Sequence, residues 1–183
     1  RNMLILVTGG SGSGKSAFAE SVVMGLKTRP NLYIATMYPF DEECHRRIAR
    51  HRLMRRDKGF ETLECYTGLK DAKIPSSGTT LLECMSNLVA NEMFGGETED
   101  SESRMSETER EDFLVEKVTG GIRTLAEKLD KLVIVSNNVF EDGISYDAQT
   151  MSYIRVLGRV NQELARMADH VTEVIVGIPV KVK

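Results

Sequence analysis

A chain of 183 residues, 41% of them hydrophobic, can build one domain with a sizeable core and is too short for two ordinary ones. A net charge of −3 and the absence of tryptophan describe an ordinary soluble protein with no overall pull toward nucleic acid or membrane, so any basic patch is local. The longest apolar runs, "LVIV" and "VIVGIPV", fall far short of the about 20 residues that span a bilayer, which argues against stable membrane insertion. Cys44, Cys65 and Cys84 are odd in number and widely spaced, a poor disulfide framework or zinc knuckle, and point to the cytoplasm.

Along the chain, apolar runs rich in β-branched residues alternate with helical patterns. "LILVT" (4–8) reads as the first strand and 15–27 as a helix. "LYIAT" (32–36) is followed by a helix over 42–56, a short strand in "FETLEC" (60–65), the strand "TTLLEC" (79–84) and a helix over 86–94. The acidic stretch from Gly95 to Asp112, nearly free of hydrophobic residues, reads as a flexible solvated loop leading into a helix at about 107–129. "KLVIVSN" (131–137), a helix over 147–168, "HVTEVIVG" (170–177) and "GIPVKVK" complete the chain. Continuous apolar strands alternating with helices predict an α/β fold: a mainly parallel sheet with helices on both faces and a short antiparallel C-terminal edge. A single domain over 1–183 is expected.

The first strand–helix junction carries chemistry. Gly9, Gly10, Ser11, Gly12, Ser13, Gly14, Lys15 and Ser16 match GxxxxGKS, directly after a strand and before a helix. Glycines let backbone N–H groups wrap a phosphate chain, and the helix N-terminus adds partial positive charge. Lys15 is suited to the β and γ phosphates and the Ser16 hydroxyl to Mg²⁺. A glycine-rich turn that merely carries Lys-Ser is the bland alternative, and the strand–helix context argues against it. The expected partner carboxylate for the metal is Glu83, ending "TTLLE"; Asp is more usual in this role, and a simple strand-terminal residue is the lesser alternative. No NKxD-like element follows "KLVIVSN", so a regulatory GTPase is disfavoured.

Within "RRIARHRLMRR", Arg47, His51 and Arg55 are spaced i, i+4, i+8 and share one helix face, which leaves Ile48, Ala49 and Met54 for packing elsewhere. Two guanidinium groups flanking an imidazole suit a polyphosphate, and their charge keeps the ring neutral and nucleophilic. Taken alone, the helix is better read as a solvated basic face with an incidental histidine, and nucleic-acid binding is disfavoured by the acidic balance and the lack of interleaved aromatics. Cys44 and His45 face away from His51 and make no metal site. His170, opening a core strand, reads as structural.

Together, "ILVTGGSGSGKS", "LYIAT", "RIARHR", "LLEC", "VSN", "GRVNQELA" and "GIPVKVK" resemble, in order and over nearly the whole chain, the bifunctional adenosylcobinamide kinase / adenosylcobinamide-phosphate guanylyltransferase family of cobalamin biosynthesis. The resemblance implies a phosphate-loop NTPase-like domain in a homotrimer. It also implies two reactions: phosphorylation of adenosylcobinamide by ATP or GTP, then transfer of GMP from GTP through a histidine to give adenosylcobinamide-GDP. His51 falls on the guanylylated histidine and Gly9 to Ser16 on the phosphate loop. Ala35, Thr36 and Met37 fall on a second nucleotide-contacting strand end, Arg52, Leu53, Met54 and Arg55 on the segment after the histidine, and Glu64 and Glu83 on two acidic nucleotide-site positions. A carboxylate such as Glu64 can accept hydrogen bonds from guanine N1 and N2, and Arg47 and Arg55 can orient the triphosphate. The implied partners are adenosylcobinamide and its phosphate, with Mg²⁺ as cofactor and no nucleic acid.

The chain departs from the family pattern at Gly12, where an arginine is common, and at Asn137–Phe140, which read NNVF in place of NEVG. The interval from His51 to Glu64 is also about one residue longer. A plain small-molecule kinase and a nucleotide-binding regulatory module are the alternatives.

Overall fold

The computed structural model describes residues 2–96, 100–138 and 146–183. In chain order the elements are β1 (Met3–Gly9), α1 (Lys15–Leu26), β2 (Asn31–Ala35), α2 (Glu42–Asp57), β3 (Phe60–Glu64), β4 (Thr79–Glu83) and α3 (Met85–Phe94). They continue with α4 (Glu107–Lys128), β5 (Lys131–Asn137), α5 (Ala148–Met167), β6 (His170–Ile175) and β7 (Ile178–Lys181). One seven-stranded sheet runs β3-β2-β4-β5-β1-β6-β7. Every pairing is parallel except that of β6 with β7. This is the expected mainly parallel sheet with an antiparallel C-terminal edge, and "FETLEC" supplies the opposite edge strand.

Each central strand is apolar throughout because both of its faces are covered. Leu4, Leu6, Leu82, Leu132 and Ile134 pack with α3, α4 and α5. Their neighbours Ile5, Val7, Leu81, Val133 and Val135 pack on the other face with Ala19 and Val23 of α1. Period-two alternation therefore persists, but both alternating sets are buried. The strands of this parallel sheet carry their C-terminal ends to one rim, where β1, β2, β4 and β5 deliver Gly9, Ala35, Glu83 and Asn137.

The acidic stretch is shorter as a loop than its composition suggests. Helix α4 begins at Glu107, where Ser106 and Glu109 form a reciprocal capping box. The carboxylates that follow find cations on α5: Arg155 pairs with Glu107 and Glu111, and Arg159 pairs with Asp112. Charge pairing, which a hydropathy reading ignores, orders this part. Of the remainder, Glu102–Arg104 form a single 3-10 turn, and residues 97–99 lie outside the described set.

Strand β6 stops at Ile175, two residues before the expected end. Val176 and Gly177 both adopt positive φ, 49° and 77°, and close a two-residue hairpin with Ile175 opposite Ile178. His170 opens β6 as expected but is exposed.

Candidate active site

Helix α2 has no apolar face, and its termini explain why it forms. Asp41 caps it by accepting from the Cys44 backbone N–H at 2.7 Å, which also holds its carboxyl below the usual range. Glu42 and Glu43 occupy the first turn and Arg55 and Arg56 the last, each sign matching the helix dipole. Its one buried residue is a cation, Arg55, at 7% exposure. That side chain turns inward over the rim of the sheet, with its guanidinium carbon 3.9 Å from the centre of the Tyr33 ring.

This seating lays α2 across a cavity of about 200 Å³. Arg47, His51 and Arg55, predicted to share a face, all line it, as do Lys15, Ser16, Ala35, Thr36, Met37 and Glu83. Ile48 also lines it, so it is not free for packing elsewhere, and Met54 is exposed rather than packed. Burial comes first in depressing the His51 basicity, followed by the positive charges of Arg55, Arg50 and Arg47, with Glu83 opposing. The ring is thus held neutral, with a free lone pair, to a lower pH than an ordinary histidine.

The glycine-rich segment Gly9–Gly14 joins β1 to α1 at the same rim. Gly12 and Gly14 adopt φ of 70° and 89°, where a side chain is strained. A Cβ on Gly9 would lie 2.8 Å from the Val174 carbonyl oxygen, because the neighbouring strand passes too close. The loop is held from both sides: Gly177 N–H donates to Ser13 O at 2.7 Å and Asn138 N–H to Gly9 O at 3.1 Å. Lys15 Nζ donates to Gly10 O at 3.1 Å, and the first turn of α1 has no side-chain cap. Buried Ser13 Oγ has no hydrogen-bond partner among the described residues. Loop amides, Lys15 and an uncapped helix N-terminus make an anion cradle.

Glu83 closes the floor. Its Oε1 accepts from the Ser16 hydroxyl and its Oε2 accepts from Tyr33 OH at 2.7 Å. Thr36 lines the cavity, but its hydroxyl is engaged with Cys84, donating to the carbonyl at 2.9 Å and accepting from the N–H at 2.8 Å. Met37 Sδ lies 3.3 Å from Arg47 Nη2.

Gly9 to Gly14 border the site as the loop before Lys15 without lining this cavity, and four further predicted residues also fall outside its lining. Arg52 points away from His51 along the next strip of α2 and ion-pairs with Glu64, which also accepts from the Tyr66 hydroxyl. Leu53 and Met54 face solvent. Glu64 ends β3 beside Ala35, the mirror position of Glu83 across β2, so it stands on the same rim one strand beyond the cavity. Sequence reading missed Tyr33, Cys84, Asn87 and Asn137 as lining residues. A larger cavity of about 720 Å³, between the C-terminal end of α3 and the N-terminal ends of α4 and α5, contains none of the predicted site residues.

A phosphate cradle facing a histidine between two arginines is the arrangement that the sequence resemblance requires. The profile of a family described as cobinamide kinase / cobinamide phosphate guanyltransferase matches residues 5–182. The chain belongs to that family. The bifunctional adenosylcobalamin biosynthesis protein CobU of Salmonella typhimurium is 34% identical over 186 residues, covering 99% of this chain and 100% of the relative. Its Escherichia coli counterpart is 35% identical over 187 residues with the same coverage. Among solved structures, the flagellar accessory protein FlaH from Methanocaldococcus jannaschii superposes with a TM-score of 0.50 at 13% identity, over 93% of this chain and 70% of that one. At that identity the likeness speaks for the fold alone, which is phosphate-loop NTPase-like.

Proposed function

We propose that this family member phosphorylates adenosylcobinamide and then guanylylates the product, carrying GMP on His51. In the first reaction the aminopropanol hydroxyl attacks the γ-phosphorus of ATP or GTP. The P–O bond to the nucleoside diphosphate breaks and the hydroxyl proton is lost. In the second, the neutral imidazole of His51 attacks the α-phosphorus of GTP; an N–P bond forms and pyrophosphate leaves. The phosphate of adenosylcobinamide phosphate then attacks the same phosphorus, the N–P bond breaks, and adenosylcobinamide-GDP departs with the imidazole restored.

Lys15 and the amides of Gly9 to Gly14 stabilise charge on the transferring phosphates. Arg55, with Arg47 at the mouth, orients the triphosphate for attack by His51. Glu64, released from Arg52, reads guanine N1 and N2. The Ser16 hydroxyl and Glu83 carboxylate are adjacent hard oxygen donors of the kind Mg²⁺ prefers, and would hold the ion beside the phosphates. When bound, the ion would neutralise phosphate charge. The exposed apolar residues Ile175, Ile178, Val180 and Val182 along the β6–β7 edge support self-association as a homotrimer. Three free thiols, at Cys44, Cys65 and Cys84, support a cytoplasmic setting.

The observation that carries the proposal is that Arg47, His51 and Arg55 line one cavity with Lys15 and Ser16. Incubation with α-labelled GTP and Mg²⁺ is expected to give an acid-labile, base-stable GMP adduct on His51, located by mass spectrometry and absent in His51→Ala. An unlabelled protein that still turns over ATP with adenosylcobinamide would reduce the function to a plain kinase.

A further inference from the structure

Tyr33 stands in an apolar strand, yet its hydroxyl ends against the most important carboxylate of the site. It pairs in register with Leu81, and Glu83 lies two residues further along β4 on the same face, within diagonal reach of a long side chain. The hydroxyl donates to Glu83 Oε2 at 2.7 Å while Ser16 takes the other oxygen, so both oxygens are aimed by donors from different elements. The face of the same ring carries the Arg55 guanidinium at 3.9 Å. Phe60 packs edge-on against the ring, centroids 6.0 Å apart, and fixes its plane.

Arg55 is itself nine-tenths buried, and its Nε has no hydrogen-bond partner among the described residues. Tyr33 is the seat on which this cation rests one helical turn after His51.

We propose that Tyr33 is a positioning residue with two separable tasks: its hydroxyl aims the Glu83 carboxylate, and its ring seats Arg55 and with it the histidine helix. The proposal rests on the roles given to Glu83 and Arg55 above. It joins the two halves of the site through one side chain, the metal side through the hydroxyl and the triphosphate side through the ring.

Two variants separate the tasks. Tyr33→Phe keeps the ring and loses the hydroxyl; Tyr33→Leu loses both. A hydrogen bond to a charged group is worth enough to expect about a tenfold weakening of Mn²⁺ binding to the GDP complex in Tyr33→Phe, read by electron paramagnetic resonance without turnover. The Mg²⁺ concentration giving half-maximal labelling from GTP is expected to rise by a similar factor, with little change in the KM for GTP. Tyr33→Leu is expected to raise that KM about tenfold as well, and Phe to rescue it relative to Leu. Unchanged Mn²⁺ affinity in Tyr33→Phe, or equal KM values in the two variants, overturns the proposal even if both lower the melting temperature. If wild type forms no adduct but Tyr33→Phe still weakens Mn²⁺ binding, the transfer reading fails and the role of the hydroxyl stands.

Discussion

Val176 is a β-branched residue held at φ 49°, and its side chain is 85% exposed. Left-handed backbone costs a non-glycine residue about 1–2 kcal/mol, and a β-branched side chain is among the least tolerant. Little apolar burial offsets that cost here, since most of the side chain already faces water. Asparagine accepts the same conformation readily, so Val176→Asn is expected to stabilise the protein by about 1 kcal/mol. For a chain of 183 residues this corresponds to a rise of about 2–4 °C in melting temperature. The assay is thermal unfolding followed by far-ultraviolet circular dichroism, with a urea midpoint at unchanged slope as a second reading. Gly177→Ala, at φ 77° in the same turn, should move the melting temperature down and weaken GDP binding, because Gly177 N–H supports the phosphate loop at Ser13. A melting temperature that is unchanged or lower in Val176→Asn, or a shift of the same sign in both variants, refutes the strain argument.

Guanylylation of His51 requires the neutral ring, and its basicity is lowered by burial and then by the arginines. Labelling should therefore persist to a more acid pH than an ordinary histidine allows, and Arg47→Gln, which removes one of the depressing charges, should shift the acid limb of the profile toward higher pH; a shift toward lower pH would contradict this sign. Glu64→Gln is expected to leave the melting temperature within about 2 °C, because the pair with Arg52 is exposed and such pairs contribute 0–1 kcal/mol, yet to erode the preference of labelling for GTP over ATP. An undiminished GTP preference would remove Glu64 from base reading. Asn138→Glu restores a carboxylate beside the phosphate loop, where the Asn138 N–H already meets Gly9 O, and should raise phosphorylation of adenosylcobinamide in a coupled kinase assay more than it raises His51 labelling. Equal effects on both would show that this position does not distinguish the reactions.

The alternation of apolar strands and amphipathic helices was legible because a parallel sheet buries both of its faces, and most element boundaries fall within two residues of their expected places. The spacing of Arg47, His51 and Arg55 was equally legible, since helical geometry alone sets which residues share a face. Tyr33 was not, because one hydroxyl in a buried strand looks like an ordinary aromatic core residue until its neighbour across the sheet is known. Asn87 and Asn137 come to the cavity from a helix and a strand end far apart in sequence, which only the strand order brings together. Arg52 and Glu64 carried a nucleotide role by resemblance; in the free chain each neutralises the other one strand beyond the cavity. The start of α4 at Glu107 was legible within the acidic stretch, whereas the α5 cations that pair with its first turns lie more than forty residues away and were not.

Arg55 has a consequence for the life of the protein outside catalysis. A nearly buried guanidinium with one N–H unmet among the described residues is a standing cost to the folded chain of about 1–3 kcal/mol, which an oxyanion in the cavity would relieve. Ligand binding also stabilises by mass action, by about 2.7 kcal/mol when the ligand stands at a hundred times its dissociation constant. The folded fraction is then expected to rise with the supply of nucleotide.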